Sequence, residues 1–551
     1  MTNSNIYKHI LYITVSLAGI LQSCQKTQSE NIGIGDALLN INLTGIEYES
    51  QNEIRASNEN IDANAFSNKH IQYVNENFHI ESQLIPVNDS KTNNLKNNIK
   101  QNASAEILEI DKNIKYKILV YNAAGNLLAS RDYAYKKDSD ETAIPLNTYT
   151  DYTFVVVSSR SASDMPNIEN INNLNNAKIS TVDTDLLYWK SEKMKLKKGN
   201  NFLAVKLRPK FSEVTTTIIM DNTMTGSITS ISNMTFNTVA QKASLDLKEG
   251  NLTFSPQIRT DKPCPIPTIY NQRTVTIPPV KVIHNGTTNG SLKFESLTVD
   301  GETKKNITIS GLSFQPGRKY NLILTLKTCT QSVSGLNGFN WDFSETTKTI
   351  NEGTTWRPNN VTYTGINFKP TGSNTTTFKK NGEIISFEFN EAGADYGFVY
   401  DILELDNAFN LEVNGTPLVG TSVTAHEIQF QNNATSTTQN IEFEDGSQYQ
   451  SIGNNNIAAN KRVKSIWEFK GTVAKPTIRV VIGRNGDVNM YGSKTDQGEL
   501  FPLRLKNNLQ FNTLKWKGDN QTNIIKATTR IEGKTTMKSS GSGRKKVTCD
   551  N

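Results

Sequence analysis

Residues 114–135 read IKYKILVYNAAGNLLASRDYAY, and residues 151–158 read DYTFVVVS. The apolar and aromatic run over 114–121 leads through the turn signal Ala124-Gly125-Asn126 into 127–135, which predicts a β-hairpin. The second stretch is β-branched and long enough for a central strand. Working outward, the same texture recurs along the chain. Residues 37–48 alternate, with Leu39, Ile41 and Leu43 on one face and Asn40, Asn42 and Thr44 on the other, as a half-buried strand does. Further strand patterns fall at 185–189, 202–207, 215–220, 245–254, 273–283, 291–299, 306–310 and 320–326. Asn485-Gly486, between apolar runs at 477–482 and 487–491, is the clearest type I′ hairpin signal. The fold class this predicts is all-β, as tandem β-sandwiches.

Composition agrees. The 551 residues are 36% hydrophobic, 20% charged and 8% aromatic, and about one in eight is Asn. Asn, Thr and Ser favour turns and strands over helix interiors. The length predicts several domains. The expected division is a first sandwich over 24–207, a second over 208–330, a linker over 331–360 and a third β-domain over 361–532, sandwich or jelly-roll-like. Residues 50–105 read as Asn-rich and irregular. The stretch 533–551, which ends in Gly-Ser-Gly-Arg-Lys-Lys and a few polar residues, reads as a disordered polar tail.

Residues 1–23 read as an export signal, with Lys8 and His9 before an apolar run from Ile10 to Leu21 that is too short to span a bilayer. The run ends at Leu21-Gln22-Ser23-Cys24, which resembles a bacterial lipobox despite Gln22. That resemblance implies cleavage between Ser23 and Cys24, acylation of Cys24 and a lipid-tethered protein outside the cytoplasm. Cys264, Cys329 and Cys549 then remain in an oxidising compartment. Cys264 and Cys329 share a predicted domain and read as the favoured pair, with Cys549 free, although sequence leaves the connectivity open. The formal charge of +6 comes from scattered basic residues, which argues against a nucleic-acid surface. Five histidines, and no CxxC, HExxH, GxSxG or P-loop motif, point to binding or structural work rather than an enzyme, with no cofactor or metal expected.

Three stretches resemble the fimbrillins, lipoprotein precursors of type V pilus subunits and accessory proteins. They are 116–158, the pair 185–190 and 205–214 (DLLYWK and VKLRPKFSEV), and 314–327 (FQPGRKYNLILTLK). The resemblance spans about residues 35–330. It implies a surface-exposed outer-membrane lipoprotein of the fimbrium, joined to other subunits by β-strand addition. In that family a protease cuts after an Arg, the first strand leaves, and a neighbour's C-terminal strand fills the groove. Here the departing strand would be 37–48, with Leu39, Ile41 and Leu43 as its plugs. Arg55, the only arginine in the first 130 residues, would be the cut site.

The third domain exceeds what a stalk subunit needs, so the expectation is a tip or accessory adhesin contacting a cell-surface glycan or protein. Four of the five tryptophans lie in the stretch that follows Lys327. Asn489, Tyr491, Trp516 and Asp519 combine aromatic faces with amide and carboxylate groups and are the candidate ligand residues. Trp467, in the strand-like SIWEF at 465–469, reads as core. Glu391, Asp395, Asp401, Glu404 and Asp406 read as solvent-facing strand positions, with Ca²⁺ or a Glu404/Asp406 glycosidase pair as minor alternatives.

Overall fold

The structure is a computed structural model. It describes residues 35–549 apart from 49–68, 88–106, 137–141, 239, 256–259, 287–289, 337–339, 371–372, 392–393, 422–426, 432–438, 451–456, 519–520 and 534. It is all-β, built as tandem sandwiches.

The hairpin at 114–135 forms as strands Lys115–Asn122 and Leu127–Ala134, and Asp151–Ser158 pairs with the first of them. They sit in a nine-stranded sheet that runs Ile107–Leu108, Ala37–Glu47, Gly199–Pro209, Leu187–Lys190, Asp151–Ser158, Lys115–Asn122, Leu127–Ala134, with two short strands off this path. Side chains alternate between two cores. Tyr116, Ile118, Val120, Phe154 and Val156 enter one, while Leu119, Tyr121, Val155 and Val157 enter the other. Burial on both faces is why these strands read as continuous apolar runs.

The second core is covered by a four-stranded sheet, Leu252–Ser255, Lys242–Asp246, Lys178–Val182, Ile168–Glu169. Two of those strands come from beyond residue 208. In return, His70–Asn75 and Phe78–Pro86, from the stretch read as irregular, join the second sandwich. Its first sheet runs His70–Asn75, Phe78–Pro86, Lys319–Thr328, Ser212–Met220, Thr274–Val282. The 207/208 boundary is therefore corrected: the first two sandwiches exchange strands. Phe78 and Ile80 are fully buried in the second core, but the His, Glu, Gln and Ser around them hid the alternation. The facing sheet holds Ile228–Ser232, Gly290–Val299, Thr235–Thr238 and Thr260–Pro263, with Glu302–Leu312 on Gly290–Val299.

In the third sandwich an eight-stranded sheet contains Thr330–Leu336, Thr535–Lys546, Phe398–Leu405, Ile478–Ile482, Val488–Ser493, Leu500–Leu505 and Ile441–Phe443 in that order. It packs on Ile384–Glu391, Asn523–Arg530 and Ala408–Val413 around Phe398, Tyr400, Phe409, Ile525 and Met537. Two expectations are corrected here. The 331–360 segment is no linker, because Thr330–Leu336 and Asn340–Phe343 both pair with Thr535–Lys546. The 533–551 stretch is no loose tail, because Thr535–Lys546 pairs on its other side with Phe398–Leu405. Its small residues fit a tight site. A Cβ on Gly541 would come within 2.5 Å of the Phe398 ring, and one on Gly543 within 2.5 Å of Ala394 and Glu391. The Ser539 hydroxyl meets Tyr400 Oη at 2.8 Å. Glycine and serine here serve close packing, not flexibility.

Candidate functional site

The strand Ala37–Glu47 runs parallel to Gly199–Pro209 along its whole length. Among the described residues its outer edge is paired only at the ends, by Ile144–Leu146 against 37–39 and by Ile107–Leu108 against 46–47. Leu39 and Leu43 are buried, whereas Ile41 is half-buried beside Asn40, Tyr133 and Thr142. The alternation read from sequence thus places all three on the core-facing side, with Ala37 and Ile46 as further fully buried residues. Ser23, Cys24 and Arg55 lie outside the described residues.

Just past this strand, Tyr48 docks into a charged cluster shared with the second sandwich. Its ring lies 4.6 Å from the Lys319 ammonium and 5.8 Å from that of Lys281. Its hydroxyl donates to Glu213 Oε2 at 3.3 Å. Lys281 also pairs with Glu213 at 2.8 Å and Asp185 at 3.1 Å. Burial raises the Tyr48 phenol. Burial also opposes ionisation of Glu213, but Lys281 beside it holds its carboxyl below the ordinary value. Sequence reading ended the strand at Tyr48 without giving its side chain a role, since a lone aromatic at a strand's end carries no distinctive signal.

At the other end of the chain, Cys549 forms a disulfide with Cys329, which corrects the expected Cys264–Cys329 pair. Cys264 directly follows Thr260–Pro263, a strand of the sheet facing the one that leads to Cys329, and is a buried free thiol whose pKa burial pushes up to about 12. The closing strand Thr535–Lys546 delivers Cys549 to the turn before Phe78, where Asn77 Nδ2 donates to Val547 O at 3.0 Å. His79 packs its Nδ1 3.2 Å from Cys329 Sγ, but the two sulfurs there are bonded to each other. Around this latch the second and third sandwiches share ionic contacts. Lys546 bonds both Glu302 oxygens at 3.0 and 3.1 Å, Arg484 reaches Glu302 at 2.8 Å, and Tyr396 Oη donates to Asp300 Oδ2 at 2.7 Å.

The predicted ligand face does not assemble. Tyr491 is buried at the junction, with the Arg273 guanidinium 5.9 Å from its ring, and Trp516 packs on Phe398 while its Nε1 donates to Ala394 O at 3.1 Å. Asn489 is half-buried and Asp519 lies outside the described residues. Trp467 is also corrected: it sits on the 3₁₀ turn Ile466–Glu468 and is 54% exposed. Aromatic spacing carries no information on which face reaches solvent. The carboxylates suggested for Ca²⁺ are separately engaged. Asp401 makes a bidentate pair with Arg479 at 2.7 and 2.9 Å, Glu404 lies between Lys470 and Lys538, and Asp395 accepts the Lys546 amide at 3.1 Å. A cleft that sequence reading missed opens instead beside Arg462, Lys464 and Lys494.

Fold and site together define a tandem β-sandwich protein with a thinly covered leading strand and a latched C-terminal one. No family model matches the sequence, and no curated protein matches it. Among solved structures the chain is similar to a candidate cell adhesion protein from Bacteroides fragilis, at 13% identity and TM-score 0.30, over 54% of this chain and 99% of that one. It is also similar to a fimbrial anchor protein from Porphyromonas gingivalis, at 12% identity and TM-score 0.25, over 42% and 88%. A fimbrial assembly protein from Parabacteroides distasonis shows 13% identity and TM-score 0.26, over 42% and 86%.

Proposed function

We propose that this protein is a cell-surface fimbrial lipoprotein that works as an adhesin at the tip of a fimbrium, not as an enzyme. It accepts a neighbour's strand in place of Ala37–Glu47 and donates none of its own. The observation that supports this reading is the closing strand Thr535–Lys546, hydrogen-bonded on both sides within its own sandwich and tied down by Cys549. A strand so engaged cannot leave to fill a partner's groove without opening the third core. The acceptor half rests on the leading strand, whose outer edge is paired only at its two ends among the described residues. Removing it would expose the row of backbone groups along Gly199–Pro209 that strand addition uses. Lipidation at Cys24 would hold the precursor at the outer membrane until a cut after Arg55 frees the remainder.

Arg55→Ala tests this. The variant should fold, keep residues 24–55, remain membrane-bound and fail to enter fibres, as read by mass spectrometry and immunogold labelling. Wild-type protein should label fibre ends. Labelling along the whole shaft, or normal assembly of the variant, would overturn the reading in favour of a stalk subunit or of a surface lipoprotein that does not polymerise.

A further inference from the structure

The cleft on the third sandwich has a volume of about 550 Å³. It forms where the turn after Ile441–Phe443, the short strand Arg462–Val463 and the loop after Val488–Ser493 meet. Its charges are arranged unequally. Lys494 Nζ is held by Asp445 Oδ2 at 2.6 Å, and Lys464 Nζ by Asp496 Oδ2 at 2.6 Å. Arg462 has no such partner: among the described residues its side chain makes one hydrogen bond, from Nε to Ile457 O at 2.8 Å. Its guanidinium is exposed at the cleft wall with terminal nitrogens unpartnered among the described residues, and a guanidinium recognises a carboxylate with two parallel bonds.

Aromatic surface lies alongside. The Lys494 ammonium is 4.9 Å from the Phe501 ring, which is 38% exposed. Lys464 Nζ donates to Glu468 O at 3.1 Å, closing over the turn that carries Trp467, itself 54% exposed. Exposed large aromatics beside a polar cleft suit a ligand with one apolar face and one wet edge. A sugar has both. The two aspartates narrow the choice further. Their lysine partners hold both carboxyls below the ordinary value, so they stay ionised and can accept hydrogen bonds from hydroxyls. The same carboxylates would repel a run of phosphates, which disfavours nucleic acid.

We propose that this cleft binds an acidic oligosaccharide, with a sugar carboxylate on Arg462 and a sugar face on Trp467 or Phe501. This rests on the adhesin reading above and gives it a ligand class. The carboxylate could belong to a uronic acid or to a sialic acid, and the probes separate the two.

Full-length protein in detergent micelles is titrated calorimetrically with trigalacturonic acid, 3′-sialyllactose and lactose. One acidic sugar should bind at least 10-fold more tightly than lactose, and more weakly as salt is raised. Arg462→Gln should weaken that binding at least 10-fold, Arg462→Lys should recover part of it, and Trp467→Ala should weaken acidic and neutral sugars alike. Both side chains are on the surface, so the thermal midpoint should not move. Equal binding of lactose and the acidic sugars, no binding of either acidic sugar, or an unchanged Arg462→Gln affinity would overturn the proposal. Labelling of fibre ends does not depend on the cleft, so a failure here is distinct from a failure of the tip reading.

Discussion

Tyr48 decides how firmly the leading strand is seated. Its ring is 3% exposed and lies among Lys281, Lys319 and Glu213, all carried by the second sandwich, whereas the strand before it belongs to the first. Pulling the strand out therefore requires undocking this side chain as well as breaking the pairing to Gly199–Pro209. Replacing a buried aromatic by Ala typically costs about 3 kcal/mol or more. Tyr48→Ala should raise hydrogen exchange across 37–47 well above wild type while the rest of the first sandwich stays protected. Tyr48→Phe keeps the ring between the lysines and loses only the hydroxyl's two long hydrogen bonds, one donated to Glu213 and one accepted from Lys281, so its exchange should stay close to wild type. Equal exchange in Tyr48→Ala and wild type would show that the clasp contributes nothing.

At the scale of elements, the closing strand shows what was legible and what was not. Hairpins with a turn signal between apolar runs, such as 115–134 and 478–493, were readable because burial on one or both faces writes itself into side-chain type. Leu39 and Leu43 were readable for the same reason. Thr535–Lys546 was not, because its neighbours Phe398 and Tyr400 are large and leave room only for Gly and Ser, the composition of a flexible tail. His70–Asn75 and Phe78–Pro86 were hidden by polar residues on their outer face. The acidic-sugar cleft was invisible because its residues converge from 445 to 496 without a spacing that marks them. A disposable tail would leave the protein intact on truncation. Deleting 533–551 should instead remove a strand that is paired on both edges, abolish cooperative unfolding of the third sandwich and make it protease-sensitive, as followed by limited proteolysis. A truncated protein with an unchanged digestion pattern would contradict the pairing.

Across the whole molecule, the second and third sandwiches are coupled by the disulfide and by the charges around Glu302. Partial burial opposes ionisation of Glu302, but hydrogen bonds from Lys304 and Lys546 bring its pKa down to about 2. An acid whose folded pKa is depressed adds stability that is present above its unfolded value, about 4.3, and is lost as pH falls toward 2. Asp300 opposes this, since burial raises its carboxyl and protonation favours its folded form. Comparing wild type with Glu302→Gln isolates the first effect. The urea midpoint of wild type should exceed that of the variant at pH 7, and the gap should close between about pH 4.5 and pH 2. A gap that stays constant with pH would mean that the Lys546–Glu302 contact carries no linked stability. Because Glu302 is partly solvated, the gap should be modest.

A central strand drawn from residues 535–546 also sets an order for folding. The segment that fills the space beside Phe398–Leu405 leaves the ribosome after every other described strand of the third sandwich. Until it arrives, that strand waits with one unpaired edge, the kind of surface that invites association with other chains. The two earlier sandwiches complete their exchange of strands from residues before 330, so they can close while the third is still being made. The third cannot. Its main sheet closes only when Thr535–Lys546 pairs, and the Cys329–Cys549 bond can form only once residue 549 has reached the turn before Phe78, so oxidation of this pair follows the folding of the two earlier sandwiches.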